Sequence, residues 1–169
     1  AEAVTQQPQV FVHRDYHSRN LMLLADGRLG VIDFQDAVTG PITYDLLSLL
    51  RDAYVEWPDA SVRKWVDLFA EELRKDGVLS ADNATFQQWF DWMGAQRHLK
   101  VVGIFARLSL RDGKHGYLND IPLVFDYLLS ELSLYPALSP LFELLRQRAL
   151  PAYLQKTPTA AARLSRWLP

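Results

Sequence analysis

His13-Arg14-Asp15-Tyr16-His17-Ser18-Arg19-Asn20, with Val31-Ile32-Asp33-Phe34-Gln35-Asp36-Ala37 a short way beyond it, is the text on which the fold of this sequence turns. Val10-Phe11-Val12, just ahead, is a short apolar run suited to a buried strand, and the polar residues 13–20 read as a loop. Residues 21–24 and 29–32 are apolar and are joined through Asp26-Gly27, a strong hairpin signal because both turn positions favour positive φ. The loop therefore feeds a hairpin that ends at Asp33. Asp15 and Asn20 stand at two points of one loop and Asp33 comes off the adjacent hairpin, so three oxygen-bearing side chains can converge on one spot. Hard oxygen ligands suit Mg²⁺, which takes few protein ligands and leaves its other positions to water and phosphate. Asn20 plus Asp33 meets that need, and Asp15 is left to act as a base.

Past Gly40-Pro41 the periodicity becomes helical. One helix is expected from residues 43–45 through Tyr54, with Leu46, Leu47, Leu49 and Leu50 on its apolar face and Pro58 as its stop. A second starts at 59–61, carries Val62, Trp65, Val66, Phe69 and Leu73, and ends at Gly77. The third and longest spans 84–110. Two more cover 118–134 and 138–154, separated by Tyr135-Pro136 and open to a kink at Pro151. The expected fold is mainly α with α+β character: a helical bundle with a small β-hairpin carrying the active loops. Residues 1–9 read as a linker, 10–155 as one compact domain and 156–169 as a peripheral tail.

Composition sets the outer limits. The 169 residues carry 18 Lys plus Arg against 20 Asp plus Glu, a net charge of −2, and 49% are hydrophobic, which suits a globular chain with a real core. Without cysteine, disulfides, Cys-ligated zinc, iron–sulfur clusters and thiol nucleophiles are excluded. A pI near 6.1 and the lack of a long basic run argue against a nucleic-acid partner. No stretch reaches the ~20 consecutive apolar residues of a membrane span, so no membrane partner and a cytoplasmic location are expected.

His13-x-Asp15 followed by Asn20, the hairpin, Asp33, Gly40-Pro41 and Tyr44-Asp45-Leu46 resembles the catalytic-loop and metal-loop signature of the kinase superfamily. It resembles the aminoglycoside-phosphotransferase-type small-molecule kinases more than protein kinases, because Asp33-Phe34-Gln35 stands where those carry Asp-Phe-Gly and no Ala-Pro-Glu segment follows. Gln96-Arg97-His98-Leu99-Lys100-Val101 and Gly103-Ile104-Phe105-Ala106-Arg107-Leu108 extend the resemblance to bacterial anomeric kinases of N-acetylmuramate and N-acetylglucosamine. The resemblance runs from Val10 to about Leu145 and implies a kinase-like C-terminal lobe, with ATP as co-substrate, Mg²⁺ and a sugar acceptor from cell-wall recycling. Aminoglycoside, choline or homoserine kinases and a non-catalytic kinase-like binding module are the alternatives.

Carried over position by position, the resemblance makes Asp15 the catalytic base, Asn20 and Asp33 the metal ligands, and His13 and Asp45 braces of the loop. Asp45 also reads as a plain helix cap. His17 and Arg19, between base and ligand, and Asp36, just past the metal loop, are candidate substrate contacts. Arg97 and Lys100 are candidate partners of a sugar carboxylate, set against the ordinary reading of Arg97, His98 and Lys100 as a solvated stripe. Trp89, Phe90 and Trp92 read as core, and His115 as a surface residue. Family members also use an N-terminal lobe whose strand-borne Lys pairs with the nucleotide phosphates. No Gly-rich phosphate loop is found in these residues, so the chain is expected to be the C-terminal lobe alone, inactive or nearly so, and prone to self-association through the surface that lobe would cover.

Overall fold

The computed structural model describes residues 6–169. The chain divides into compact units, Ala1–Met93 and Gly94–Pro169, and each is taken by itself. Among the described residues no helix is long and apolar enough to cross a membrane.

The first unit opens on β1 (Gln9–Val12), β2 (Leu21–Leu23), β3 (Leu29–Val31) and β4 (Val38–Pro41). These form separate two-stranded antiparallel sheets: β1 with β4 and β2 with β3. The β2–β3 turn departs from the expected form, since Gly27 (φ 81°) is at positive φ and Asp26 is not. Leu24 N–H donates to the Arg28 carbonyl at 2.9 Å and Gly27 N–H to the Leu24 carbonyl at 2.9 Å, a three-residue loop whose last position needs the left-handed backbone that glycine supplies. Strand β4 is unanticipated, because Gly40-Pro41 reads as punctuation. It pairs along a short edge, Val10 opposite Gly40, where a Cβ would come within 3.2 Å of Val12. Both polar loops thus become connections between sheets, 13–20 from β1 to β2 and 32–37 from β3 to β4.

Helix α1 (Tyr44–Leu50) stops short of the expected Tyr54. Arg51 leaves helical geometry, and the Asp52 carboxylate accepts the Tyr54 N–H at 3.2 Å. Helix α2 (Asp59–Lys75) follows Pro58 and ends at Gly77, φ 72°. There Val78 N–H reaches the Leu73 carbonyl and Gly77 N–H the Arg74 carbonyl, the paired bonds of a glycine-terminated helix. Helix α3 (Asn83–Asp112) is capped by Asp82, which accepts the Thr85 N–H at 2.8 Å. Leu47, Leu50, Val62, Val66, Ala70, Phe86, Phe90 and Met93 make the core, as their helical spacing predicts. Beside it the buried Asp91 carboxylate accepts from Arg63 at 2.9 Å and Arg51 at 3.3 Å. The linker expected over 1–9 is partly built structure: residues 1–5 lie outside the described residues, but Gln7 is buried, accepting the Thr43 hydroxyl at 2.6 Å.

In the second unit, residues 94–112 of α3 are followed by α4 (Ile121–Ser133), α5 (Ser139–Leu144), α6 (Leu150–Lys156) and α7 (Ala161–Leu164). Between α5 and α6 the helix widens into a π turn over Leu145–Ala149, next to Pro151, which offers no N–H to the preceding turn. That is the form taken by the expected kink. The stretch expected as a peripheral tail is packed: Ala160 and Leu164 are buried, and Asp126 of α4 accepts from Arg166 at 2.8 Å and from the Trp167 indole at 2.5 Å. The expected solvated stripe is also interrupted, because His98 is buried, its Nδ1 2.9 Å from Glu131, with Tyr127 stacked on its ring at 5.4 Å. Gly94, one turn earlier on α3, makes room for the Glu131 carboxylate, into which any Cβ would project.

Candidate active site

The loop 13–20 is tied down from both sides. Asp45, in the first turn of α1, accepts the His13 N–H at 2.6 Å and the Arg14 N–H at 3.0 Å, one on each oxygen. No side-chain cap bond is made at this helix start, so Asp45 spends its carboxylate on the loop. Buried His13 places Nε2 3.0 Å from the Ile32 carbonyl; a carbonyl only accepts, so Nε2 carries the proton and donates. That bond ties the first loop to the residue before Asp33.

Inside the loop, the Asp15 carbonyl accepts the His17 N–H at 3.0 Å and the Asn20 side-chain amide at 2.8 Å. The Asn20 N–H donates to the His17 carbonyl at 2.9 Å, and the Ile32 N–H donates to the Asn20 carbonyl at 3.1 Å. Asp15 and Asn20 are therefore locked to one another through the Asn20 side-chain amide and the His17 backbone, and Asn20 to the second loop. Among the described residues no hydrogen-bond partner holds the half-buried Asp15 carboxylate. The exposed Asp33 carboxylate accepts the Gln35 side-chain amide at 2.6 Å.

Backbone strain marks the same place. Among the described residues, the non-glycine positions with positive φ are Arg14 (φ 76°) and Asp33 (φ 67°), one in each loop. Such conformations cost of order 1–3 kcal/mol and persist only where the surroundings over-determine them. For Arg14 that surrounding is the Asp45 bond, together with its own guanidinium donating to the Asp36 carbonyl at 3.3 Å.

The remaining candidates are placed differently. His17 meets Tyr54 edge-on at 5.7 Å and the Arg19 guanidinium lies 3.4 Å over the same ring, so both pack on Tyr54. Asp36 is exposed, its carbonyl engaged by Arg14. Arg97 and Lys100 belong to the second unit, Arg97 half-buried and Lys100 exposed. His115 is exposed, as expected, with Nδ1 2.9 Å from the Ser109 hydroxyl. Sequence reasoning missed Asp52, which accepts the Ser18 N–H at 3.1 Å and the Ser18 hydroxyl at 2.6 Å. Its one signal is an acid directly after a helix whose first turn already supplies a loop-binding acid.

Two polar loops, joined side by side between short strands and the first of them braced by helix α1, accord with the kinase-like phosphotransferase fold. Residues 1–77 match the phosphotransferase enzyme family. Its relatives are more particular. It is 52% identical over 140 residues to the N-acetylmuramate/N-acetylglucosamine kinase of Neisseria meningitidis, covering 82% of this chain and 42% of that protein. Against proteins of the same name the figures are 48% over 141 residues for Pseudomonas aeruginosa (83% and 41%) and 45% over 147 for Pseudomonas putida (86% and 43%). The chain spans about two fifths of the length of the relatives it matches.

Proposed function

We propose that these residues form the phosphate-transferring part of an ATP-dependent sugar kinase acting on the anomeric hydroxyl of N-acetylmuramate or N-acetylglucosamine, a cytoplasmic step in the recovery of cell-wall amino sugars. The observation that carries the proposal is the mutual locking of Asp15, Asn20 and the strand end before Asp33, in a chain about half identical to kinases named for those sugars. In this mechanism the Asp15 carboxylate receives the proton of the attacking hydroxyl. The sugar oxygen forms a bond to the γ-phosphorus, and the bond to the β,γ-bridging oxygen breaks, its electron pair leaving with ADP.

Asn20 and Asp33 together offer an amide oxygen and a carboxylate, a hard donor set that fits Mg²⁺. The other positions of such an ion go to phosphate oxygens and water. When bound, Mg²⁺ supplies charge neutralisation on the phosphates. The asparagine amide is turned by its bond to the Asp15 carbonyl, so base and ligand keep their separation. His17, Arg19 and Asp36 are the proposed contacts to phosphate or sugar.

Phosphorus NMR of Mg·ATP mixed with N-acetylmuramate, N-acetylglucosamine, kanamycin or choline tests the assignment. A new anomeric sugar phosphate is expected from the longest natural form of the protein, and weak or no turnover from these 169 residues alone. Transfer to kanamycin or choline in preference to either sugar would overturn it.

The two small sheets and the loop after β3 leave large apolar side chains exposed: Phe11 is 74% and Leu23 76% exposed, with Leu29 and Phe34 close behind. Exposed apolar side chains of this size favour association. We therefore expect concentration-dependent self-association of the 169-residue chain in light scattering, reversed by Phe11→Ser combined with Leu23→Ser. A chain that stays monomeric at every concentration would remove this expectation.

A further inference from the structure

Asp52 organises the far end of the loop that carries Asp15. It lies just past α1, is 4% exposed, and takes the Ser18 N–H and hydroxyl on Oδ2 and the Tyr54 N–H on Oδ1. Hydrogen bonds to a buried carboxylate are the strong kind. Tyr54, set by the same carboxylate, is the ring against which His17 stands edge-on and over which Arg19 lies. At the opposite end of α1, Asp45 holds the amides of His13 and Arg14. With seven residues α1 is about 10 Å long, so one short rigid element grips the loop before Asp15 and again before Asn20.

We propose that Asp52 is a positioning residue of the phosphotransfer site: by anchoring Ser18, and through Tyr54 also His17 and Arg19, it fixes the base at Asp15 relative to the metal ligand at Asn20. The inference rests on the phosphotransferase reading of this site. A carboxylate that only finished the helix would have no reason to take both donors of a residue 34 positions away. Because a displacement of ~1 Å at a reacting group can cost on the order of 10²-fold, loss of the anchor should appear in turnover more than in binding.

In the longest natural form of the protein, Asp52→Asn and Ser18→Ala should each lower kcat roughly 10- to 100-fold, with KM for nucleotide and acceptor changed by no more than about two-fold. Ser18→Thr, which keeps the hydroxyl, should recover most of kcat. In the 169-residue chain, amide exchange at Ser18 and Tyr54 should accelerate about ten-fold or more in Asp52→Asn, while the core amides of Leu47 and Val66 keep their protection. If Asp52→Asn turns over like wild type in a protein that Asp15→Asn inactivates, the positioning role is overturned and the kinase reading stands. Were wild type to transfer no phosphate at all, the kinase reading would fall, and exchange at Ser18 would still judge the anchor. Unchanged exchange at Ser18 overturns it in either case.

Discussion

Asp15→Asn is expected to lower the rate of phosphate transfer by about 10²- to 10⁴-fold, the range lost when a positioned general base is removed. The substitution isolates chemistry from architecture. Residue 15 is held in place by its backbone: its carbonyl takes the His17 N–H and the Asn20 amide, and neither bond involves the carboxylate. An asparagine therefore keeps the loop and loses only the capacity to accept the hydroxyl proton. KM values should stay close to wild type while kcat and kcat/KM fall together, the pattern of an interaction made in the transition state. Steady-state kinetics on the longest natural form of the protein gives the answer, and wild-type turnover in the variant would remove Asp15 from the mechanism.

The largest expected loss of stability comes from Asp91→Ala. The Asp91 side chain is 1% exposed and accepts both Arg63 at 2.9 Å and Arg51 at 3.3 Å; Arg51 is itself 3% exposed. Its truncation leaves the Arg51 guanidinium buried, with the exposed Asp59 carboxylate 3.7 Å away and the Phe90 ring 5.2 Å from its centre. Removing one partner of a buried pair costs about 3–5 kcal/mol. Set against the roughly 5–15 kcal/mol that holds a typical domain together, that is enough to shift a urea midpoint far to the left or to prevent folding at 37 °C. Asp91→Asn, which keeps the oxygen acceptor, should lose less. A midpoint unmoved in Asp91→Ala would overturn this expectation and show that the Arg51 charge is satisfied without Asp91.

Local pattern carried most of the fold. Apolar spacing placed α2 and α3 nearly to the residue because their ends are written locally, by Pro58, Asp82 and the left-handed Gly77. Strand β4 was not legible, since Gly40 and Pro41 oppose strand structure by propensity and are tolerated only because β1 offers an edge partner with small side-chain demand at Gly40. The short α1 and the packed C-terminal residues were hidden for another reason: their determinants lie far away in sequence. Arg51 leaves its helix for Asp91, Asp52 for Ser18, and Arg166 and Trp167 find Asp126 about forty positions back. The same distance explains the site. Asp15, Asn20 and Asp33 stand out by motif, whereas Asp52 belongs to no motif and meets Ser18 only once the chain folds. His98 is a parallel case, since only the space left by Gly94 lets Glu131 come up beneath it.

The grip of α1 on the loop has a consequence for the lengths of chain this region can accept. Asp45 and Asp52 work as a pair only while the helix between them keeps its present number of residues, because each added or deleted residue turns the downstream end by about 100° and shifts it by about 1.5 Å. A substitution at Leu46 or Leu49 can be absorbed by repacking, but an insertion or deletion inside Tyr44–Leu50 would swing Asp52 away from Ser18 while leaving Asp45 in place. Length variation in natural relatives should therefore collect in the irregular residues 53–58, outside the interval between the acids. Anyone recombining or transplanting this loop must carry the helix with it, register intact.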